Sequence, residues 1–297
     1  MGSTPEGPLS PEAASEAALT APTNSEAPPR RRHRGIQFAG IGVSVLFLGA
    51  LVVVILSSGR VQGSIPGSDS ILSLAAIPRG FLVGTAGGVL QSPDGKTWLA
   101  ATNIPREPVS VASDGTTSYV LAGGTLKSTR DLRTFGTLAT GVTGTVIGPG
   151  PDGTVYVAAG RSVDRVTAGG GSLPPLPGPP APGVFSMAVV GDRQGSVLVG
   201  AIGGLWRTDD SGRTWQRILG TPTQAVLVDP ANPQRILLGT PGGVLVSGNG
   251  GLQWHQTEMR KDVHGLSQAG GRFFAVTRER LVYASDDGTS GWTAFTG

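Results

Sequence analysis

Cysteine is absent from this chain, and histidine and aromatic residues are scarce. The 297 residues include three histidines, and aromatic residues make up 5% of the total. Without cysteine the chain has no disulfide framework, no thiolate metal site and no cysteine nucleophile. A domain of this length can bury a sufficient core without disulfides, so their absence does not argue against export.

A large excess of either charge is also missing, since the formal net charge is only +3. Arginine outnumbers lysine 20 to 3, which we interpret as a compositional bias of the genome. The single basic run, residues 30–34, flanks an apolar segment, and no basic helix follows it. We therefore expect no nucleic-acid partner.

Helical periodicity is missing after residue 68. The apolar runs there are short, rich in Val, Leu, Ile and Ala, and bounded by Gly, Pro, Asp and Asn. Runs of this length and composition are typical of β-strands. Four of them fit into each repeating unit.

One phrase, the repeated turn, recurs along this region. It reads SPDGKTW at Ser92–Trp98, STRDLRTF at Ser128–Phe135, TDDSGRTW at Thr208–Trp215, SGNGGLQW at Ser247–Trp254 and SDDGTSGW at Ser285–Trp292. The closing aromatic residues are 37, 80, 39 and 38 residues apart, so the gap of 80 holds one degenerate copy. A period near 39 residues indicates the blades of a β-propeller.

We therefore predict an all-β fold, a six-bladed β-propeller of four-stranded antiparallel blades. Such an arrangement hides the edges of each sheet between its neighbours. A count of seven blades stays possible, because residues 60–67 could add a strand. The predicted blades are residues 69–105, 106–141, 142–181, 182–220, 221–260 and 261–297.

The residue types of the repeated turn suit a hairpin. A Ser or Thr hydroxyl and an Asp carboxylate can accept hydrogen bonds from turn amides, and Gly can adopt positive φ. The phrase resembles the Asp-box, or BNR repeat, of sialidases, sortilin-type receptors, some glucanases and photosystem II assembly factors. That resemblance spans about 235 residues and implies a structural role for Ser92, Asp94, Gly95, Trp98, Thr208, Asp210, Gly212, Trp215, Ser247, Asn249, Gly251, Trp254, Ser285, Asp287 and Trp292.

Catalytic and metal-binding sets are not found. The sialidase members of this family carry an early Arg-Ile-Pro motif, whereas the nearest string here is Ile77-Pro78-Arg79. His255 and His264 lack a third ligand, and the turn oxygens fall short of the six to eight that calcium takes. We expect no catalytic residues, no metal and no cofactor. Paired-carboxylate hydrolysis stays open, although no pair of acids is singled out.

The N-terminal part has a different character. Residues 1–34 predict a disordered cytoplasmic tail that ends in a basic cluster, and residues 35–58 form an uncharged stretch long enough for a transmembrane helix. Basic residues on the N-terminal flank place that end in the cytoplasm. Residues 59–68 are a linker, and 69–297 are the propeller. No convincing small-x-small cleavage site ends this stretch, but SSG at Ser57–Gly59 keeps a cleaved signal peptide open as the alternative.

A partner surface is predicted on one face of the propeller. The turns between second and third strands share that face with the crossings between blades, and we name it the crossing face. The copies differ most from one another there, which favours binding. The candidate residues are Arg161, Arg260, Lys261, Asp262, His264, Arg278, Glu279 and Arg280.

The favoured function is a membrane-anchored, non-catalytic, extracytoplasmic scaffold that binds another membrane or envelope protein. The alternative is a glycan-binding or glycoside-hydrolysing propeller, as the sialidase and glucanase members of the resemblance imply.

Overall fold

The computed structural model describes residues 64–191 and 195–295. The predicted tail, residues 1–34, and the predicted transmembrane helix, residues 35–58, lie outside the described residues. Over the described ranges, no helix has the length and apolarity needed to cross a bilayer.

Six four-stranded antiparallel sheets follow one another along the chain. Blade 1 contains β1 (Ile71–Ile77), β2 (Gly80–Thr85), β3 (Gly88–Ser92) and β4 (Leu99–Ala100), and blade 2 contains β5 (Ser110–Ser113), β6 (Ser118–Ala122), β7 (Thr125–Thr129) and β8 (Gly136–Thr140). Blade 3 contains β9 (Val146–Pro149), β10 (Val155–Ala159), β11 (Ser162–Val166) and β12 (Ser172–Pro177), and blade 4 contains β13 (Val184–Val189), β14 (Val197–Ala201), β15 (Gly204–Thr208) and β16 (Gln216–Leu219). Blade 5 contains β17 (Ala225–Asp229), β18 (Asn232–Thr240), β19 (Gly243–Ser247) and β20 (His255–Gln256), and blade 6 contains β21 (Val263–Ala269), β22 (Arg272–Thr277), β23 (Val282–Ser285) and β24 (Thr293–Ala294). The predicted six-bladed all-β propeller with four-stranded blades is confirmed.

Burial changes from the inside of each blade to its outside. The second strands β2, β6 and β14 are buried at every residue, because a neighbouring blade covers each of their faces. The outermost strands β4, β20 and β24 are exposed throughout. This explains the short, almost continuous apolar runs of the sequence, which are typical of strands buried on both sides.

The hydrophobic core is divided among the seams between blades. One cluster joins Ile77 and Leu82 of blade 1 to Val111 and Val120 of blade 2, and each of the other clusters likewise joins two neighbouring blades. One of them joins blade 6 to blade 1, so the ring is closed. Burial of apolar area at these seams is the dominant stabilising term of such a fold.

The ring closes without a shared strand. The ring centroid of Phe81 in β2 lies 5.0 Å from that of Phe274 in β22 and 5.3 Å from that of Phe295, and both contacts have edge-to-face geometry. On the inner strands, the amide of Ala76 donates to the Ser267 hydroxyl at 2.8 Å. The alternative in which residues 60–67 add a strand is not observed at the described positions, where Ile65 instead donates its amide to the Arg280 carbonyl at 2.8 Å.

The antiparallel order gives the propeller two distinct faces. The crossing face carries the turns between second and third strands and the connections between blades. The opposite face, which we name the turn face, carries the turns between first and second strands and the repeated turns between third and fourth strands. Each inner strand runs from the crossing face to the turn face.

Candidate functional site

One Asp or Asn side chain in each of the five repeated turns accepts hydrogen bonds from amides of the same turn. In blade 1, Asp94 Oδ1 accepts the amides of Lys96 and Thr97 at 2.9 and 2.8 Å, and the Ser92 hydroxyl accepts the amide of Gly95 at 2.8 Å. Asp131, Asp210, Asn249 and Asp287 accept turn amides in the same way. These side chains are engaged in the hairpin.

Hydrogen bonding stabilises the ionised form of these carboxylates. The pKa of Asp94 is lowered, chiefly by the amide of Thr97, and the pKa of Asp287 is lowered chiefly by the amide of Ser290. The hydroxyl and amide of Thr214 lower the pKa of Asp210 to about 2. A carboxylate with so low a pKa stays ionised at neutral pH and is a poor general acid.

The glycines of the repeated turns lie against the preceding blade. A Cβ on Gly95 would meet the Phe295 ring at 2.6 Å, and one on Gly212 would meet the Pro177 carbonyl oxygen at 2.2 Å. Both residues also have positive φ, +71° and +81°. In blade 2 the position is occupied by Leu132, which keeps a φ of 61° and packs its side chain into the core shared with blade 1. The turn face is therefore a structural layer.

Most of the predicted crossing-face residues come together in blade 6. Lys261 Nζ lies 3.4 Å from Glu279 Oε2, and Arg278 Nη1 lies 3.8 Å from Asp262 Oδ2. The other oxygen of Asp262, Oδ1, lies 3.4 Å from His264 Nε2. Arg260 is exposed on the crossing that leads into β21. Arg161 is exposed in the turn between β10 and β11 of blade 3, half a ring away from this group.

Arg280 has a structural position that the sequence does not reveal. Its Nε donates to the Ile65 carbonyl at 2.9 Å, and its two terminal nitrogens donate to the carbonyls of Pro66 and Asp69. The side chain thus holds the lead-in segment, residues 64–69, against blade 6. Arg278 is different, because its side chain is 78% exposed. Replacing both arginines together would disturb the fold as well as the surface, so only Arg278 is suited to probing a partner.

A cavity of about 430 Å³ runs along the central axis of the ring. Its walls are the inner strands, with Leu74, Val111, Ile147, Met187 and Leu227 among the apolar side chains. This volume lies within the range of about 300–1,000 Å³ that is typical of ligand pockets.

Three side chains at the crossing-face mouth of this cavity project from bulges. The pairing register shifts between Ile71 and Ser73, between Val184 and Ser186, and between Val263 and Gly265. The bulged residues are Leu72, Phe185 and His264, and all three line the cavity. A bulge redirects a side chain, and bulges are frequent next to functional sites. Leu72 and Phe185 are 37% and 41% exposed, which is unusual for large apolar residues beside a cavity.

Gln224 completes the mouth from blade 5. Its Nε2 lies 3.5 Å from His264 Nε2, and His264 Nδ1 lies 3.2 Å from the Ile71 carbonyl oxygen. A carbonyl only accepts, so this contact requires a proton on Nδ1, while Nε2 faces both the Gln224 amide nitrogen and Asp262 Oδ1. We name Leu72, Phe185, Gln224 and His264 the mouth residues.

His264 is one of the residues that the sequence predicts on the partner surface. Its side chain is only 24% exposed, and it lies at the cavity mouth. Sequence reasoning missed Leu72 and Phe185, because an apolar residue in a first strand is read as core, and it also missed Gln224, a polar residue just before β17. One signal was available, since Phe185 is the single Phe, Tyr or Trp in the six inner strands.

A metal centre has no support in the part of the chain that the structure describes. No group of three or more His, Asp or Glu side chains there could hold a metal ion. The mouth offers hydrogen-bond acceptors, a half-buried imidazole and apolar surface, which is chemistry for binding.

Comparisons with known proteins give likenesses of fold. No family model and no curated protein matches the chain. The extracellular domain of the one component system BT4673 from B. thetaiotaomicron is 16% identical with a TM-score of 0.49, over 78% of this chain and 34% of that one. This chain therefore spans about a third of the length of that protein.

Two other solved structures are similar at the same level. YCF48 bound to D1 peptide is 15% identical with a TM-score of 0.48, over 71% of this chain and 76% of that one. A computationally designed protein is 16% identical with a TM-score of 0.43, over 72% of this chain and 70% of that one. Identities of this size concern the fold and carry no information about ligands.

Proposed function

We propose that this chain is a non-catalytic, membrane-anchored, extracytoplasmic β-propeller that binds a protein partner through its crossing face. The observation that carries the proposal is the pair of exposed apolar side chains, Leu72 and Phe185, at the mouth of the central cavity. Aromatic residues such as Phe185 are enriched in protein interfaces relative to the rest of the surface.

The two faces support the choice of surface. The turn face uses its polar groups inside its own hairpins, and we propose that its repeated turns are Asp-boxes with a structural role. The crossing face combines the mouth residues with the charged residues of blade 6. An apolar centre surrounded by charged groups is the composition expected of a protein-binding surface.

The position of the lead-in segment suits a membrane tether. Ile65 is 2% exposed and lies beside Arg280 on the crossing face. Only six residues separate it from residue 58, the end of the proposed transmembrane helix, and six extended residues span roughly 20 Å. The tether would hold the crossing face close to the bilayer, where a membrane protein is within reach.

Site-specific photo-crosslinking in cells tests the partner surface. A photoreactive amino acid is placed at Phe185 of the full chain, and in a matched variant at Leu252, which is 84% exposed in a repeated turn on the opposite face. We expect a discrete protein adduct from position 185 and none from position 252. Equal labelling from both positions, or a glycan as the adduct at 185, would contradict the proposal.

Cysteine labelling tests the membrane topology. The chain has no native cysteine, so only the introduced residue can react. In intact cells, a membrane-impermeant maleimide should label Leu252→Cys and should leave Ser15→Cys unlabelled until the cells are lysed. The reverse pattern would show that the propeller lies in the cytoplasm.

A further inference from the structure

The structural layer of the turn face has one gap, because blade 3 does not carry the repeated turn. The strand pairs beside the turn show which residues correspond. In blade 1, Gln91 and Leu99 pair across the ends of the turn SPDGKTW. In blade 3, Arg165 and Leu173 pair across the ends of VTAGGGS, residues 166–172. The two turns have the same length, so they can be compared residue by residue.

Three side chains that define the repeated turn are lost in blade 3. Val166 stands at the position of the Ser or Thr, Ala168 at that of the Asp, and Ser172 at that of the closing aromatic residue. Ser172 is exposed to solvent. Blade 3 therefore has no closing ring to place against blade 2.

In the other five seams the closing aromatic ring packs on the preceding blade. It shares a core cluster with one second-strand residue of that blade, the one that pairs with the residue just before the turn. The ring and this neighbour are Phe135 and Leu82, Trp215 and Tyr156, Trp254 and Leu198, Trp292 and Leu237, and Trp98 and Phe274. The corresponding residue of blade 2 is Tyr119. Its cluster includes no aromatic residue of blade 3, a blade that lies entirely within the described residues.

A cavity of about 570 Å³ lies at this seam on the turn face. Its lining includes Tyr119 and Leu138 of blade 2 and Ala168 of blade 3. Tyr119 and Leu138 belong to the core cluster of the seam, whereas Ala168 is exposed. The cavity therefore has an apolar floor and opens to solvent.

The side chain of Tyr119 does not replace the missing ring. Phe274 is also aromatic and occupies the same position in blade 6, yet Trp98 packs beside it. Tyr156 likewise has Trp215 beside it. A ring at this second-strand position thus leaves room for the closing ring, and between blades 2 and 3 the described residues do not fill that room.

We propose that this cavity binds a small molecule that carries a planar aromatic ring. We name it the ring slot and define it by Tyr119, Arg130, Leu138 and Ala168. Each of the other seams holds a tryptophan or phenylalanine ring at the corresponding place, so the repeat itself indicates the shape of the occupant. The cavity volume lies within the range of about 300–1,000 Å³ that is typical of ligand pockets. The site goes beyond the proposed function, because it lies on the face opposite the mouth residues.

Guanidinium groups in the lining favour an aromatic ligand over an aliphatic one. Arg79 and Arg130 line the cavity, and neither forms an ion pair with a described residue. Arg130 lies near the floor, since burial raises the pKa of Tyr119 to about 12 and the charge of Arg130 acts against that rise. A guanidinium group attracts the face of an aromatic ring. The chain already contains such a contact, with the Arg235 guanidinium 4.7 Å from the centroid of the Phe273 ring.

Two polar groups of the lining are engaged within the chain. The Asp131 carboxylate accepts the amides of Arg133 and Thr134 in its own turn. The Tyr119 hydroxyl donates to Asp114 Oδ2 at 3.1 Å. Neither group requires a partner from outside, so we expect the ring of the ligand, and not a polar substituent, to supply most of the affinity.

A free small molecule is favoured over a tryptophan side chain of a partner protein. In the other blades the ring enters its seam from the backbone that leads into the fourth strand. In blade 3 that path is filled by β12, which pairs with β11. The backbone of a partner cannot follow it, whereas a small molecule needs no backbone beside the slot.

Indole is the probe for this site. It is titrated into the purified full chain in detergent, with protein-free micelles as the blank, and binding is measured by isothermal titration calorimetry. We expect saturable binding with a dissociation constant of about 1 mM or lower, because a buried aromatic ring removes on the order of 150–250 Å² of surface from water. Cyclooctanol, an apolar ring that is not planar, should bind about tenfold more weakly.

Ser172→Trp supplies the missing ring from within the chain. It should weaken indole binding by about tenfold or more, and it should raise the Tm by about 2–4 °C because a ring that fills a cavity stabilises the fold. The matched control is Leu99→Trp on the outermost strand of blade 1, at a side chain that is 60% exposed and is not part of the cavity lining. This control should change neither the affinity nor the Tm.

Two further variants test the slot without adding a ring. Ala168→Leu narrows the slot at an exposed position and should weaken indole binding by about threefold or more. Arg130→Met keeps the length of the side chain but removes the guanidinium group, and it should weaken indole binding by about two- to fivefold. Thermal unfolding of each variant verifies that the propeller is intact.

Three results would overturn this inference. The first is the absence of saturable indole binding to the native chain. The second is an indole affinity that is unchanged in both Ser172→Trp and Ala168→Leu. The third is binding of a Gly-Gly-Trp-Gly-Gly peptide without binding of indole, which would assign the slot to a protein. Each is independent of the crosslinking at position 185, which tests the opposite face.

Discussion

The two faces of this propeller use polar residues in opposite ways. On the turn face, Asp94 and Asp210 bond to amides of their own hairpins, and the blades repeat this arrangement with small changes. On the crossing face, Gln224 Oε1 and Ser186 Oγ are buried without a hydrogen-bond partner among the described residues, and Phe185 is exposed. The carboxylates of Asp94 and Asp210 are bonded within their own hairpins, whereas the divergent face exposes an aromatic ring, that of Phe185, at the mouth of the cavity.

The difference separates stability from binding along a single chain. Repetition preserves what every blade needs, which is a closed hairpin that packs on the preceding blade. Positions that carry no such duty are free to differ, and bulges at Leu72, Phe185 and His264 are found there. We expect substitutions on the turn face to act on stability and substitutions at the mouth to act on binding.

The largest effect is expected for Gly212→Ala on the turn face. The new Cβ would lie 2.2 Å from the Pro177 carbonyl oxygen at a φ of +81°. Left-handed strain and overpacking together should lower the free energy of unfolding by about 3 kcal/mol. The matched control is Gly291→Ala, where φ is +60° but nothing lies within 4 Å, and strain alone should cost about 1 kcal/mol. Urea unfolding measures both, and equal losses would show that contact with blade 3 is unimportant.

Arg280→Ala should have the next largest effect, although this residue lies on the crossing face. It removes the hydrogen bonds to the carbonyls of Ile65, Pro66 and Asp69 and should destabilise the protein by about 2 kcal/mol. Hydrogen exchange at Ile65 should also become faster. Arg278→Ala, at a side chain that is 78% exposed, should change stability by less than about 0.5 kcal/mol. Similar effects of the two substitutions would remove the distinction between structural and surface arginines.

Acid sensitivity is the third expectation, and it follows from the lowered pKa values of the turn-face carboxylates. The pKa of Asp210 is about 2, below that of an unfolded aspartate. The stabilising contribution of its ionised form to the free energy of unfolding is therefore complete above about pH 4 and is lost as the pH falls through 2. Asp210→Asn should fold, because Asn249 accepts the same turn amide in blade 5 at 2.9 Å. The Tm of this variant should fall less between pH 5 and pH 2 than that of the native chain. Asp286→Asn, at a side chain that is 87% exposed, is the control for loss of one charge and should keep most of the native pH dependence.

The sequence predicts the architecture well because its repeat is local. Each copy of the repeated turn is one hairpin, and Ser92, Asp94, Gly95 and Trp98 are adjacent in the chain. Their spacing, with one degenerate copy placed in the gap of 80 residues, predicts six blades. The degenerate copy is the turn at residues 167–171 of blade 3, which has no Asp. It is held by hydrogen bonds between Thr167 and Gly171.

The candidate site is less visible in the sequence because it depends on distant segments. Leu72, Phe185, Gln224 and His264 come from four blades and meet only when the ring closes. A bulge is a shift of pairing register and leaves no residue signature in an apolar run such as Val184-Phe185-Ser186. The role of Arg280 was hidden for the same reason, since its acceptors lie more than 200 residues away.

The smallest effect is expected for Ser186→Ala, and it tests the comparison most directly. Ser73 and Ser186 occupy equivalent inner-strand positions, but only the Ser73 hydroxyl accepts an amide, that of Val111. Ser73→Ala would leave that amide without its acceptor and should cost about 1 kcal/mol. Ser186→Ala removes a buried hydroxyl that has no hydrogen-bond partner in residues 64–191 and 195–295, so the unfolding free energy should stay within about 0.5 kcal/mol of the native value or rise. A loss at Ser186 as large as that at Ser73 would mean that its hydroxyl is already satisfied within the chain, and the crossing face would then be as self-contained as the turn face.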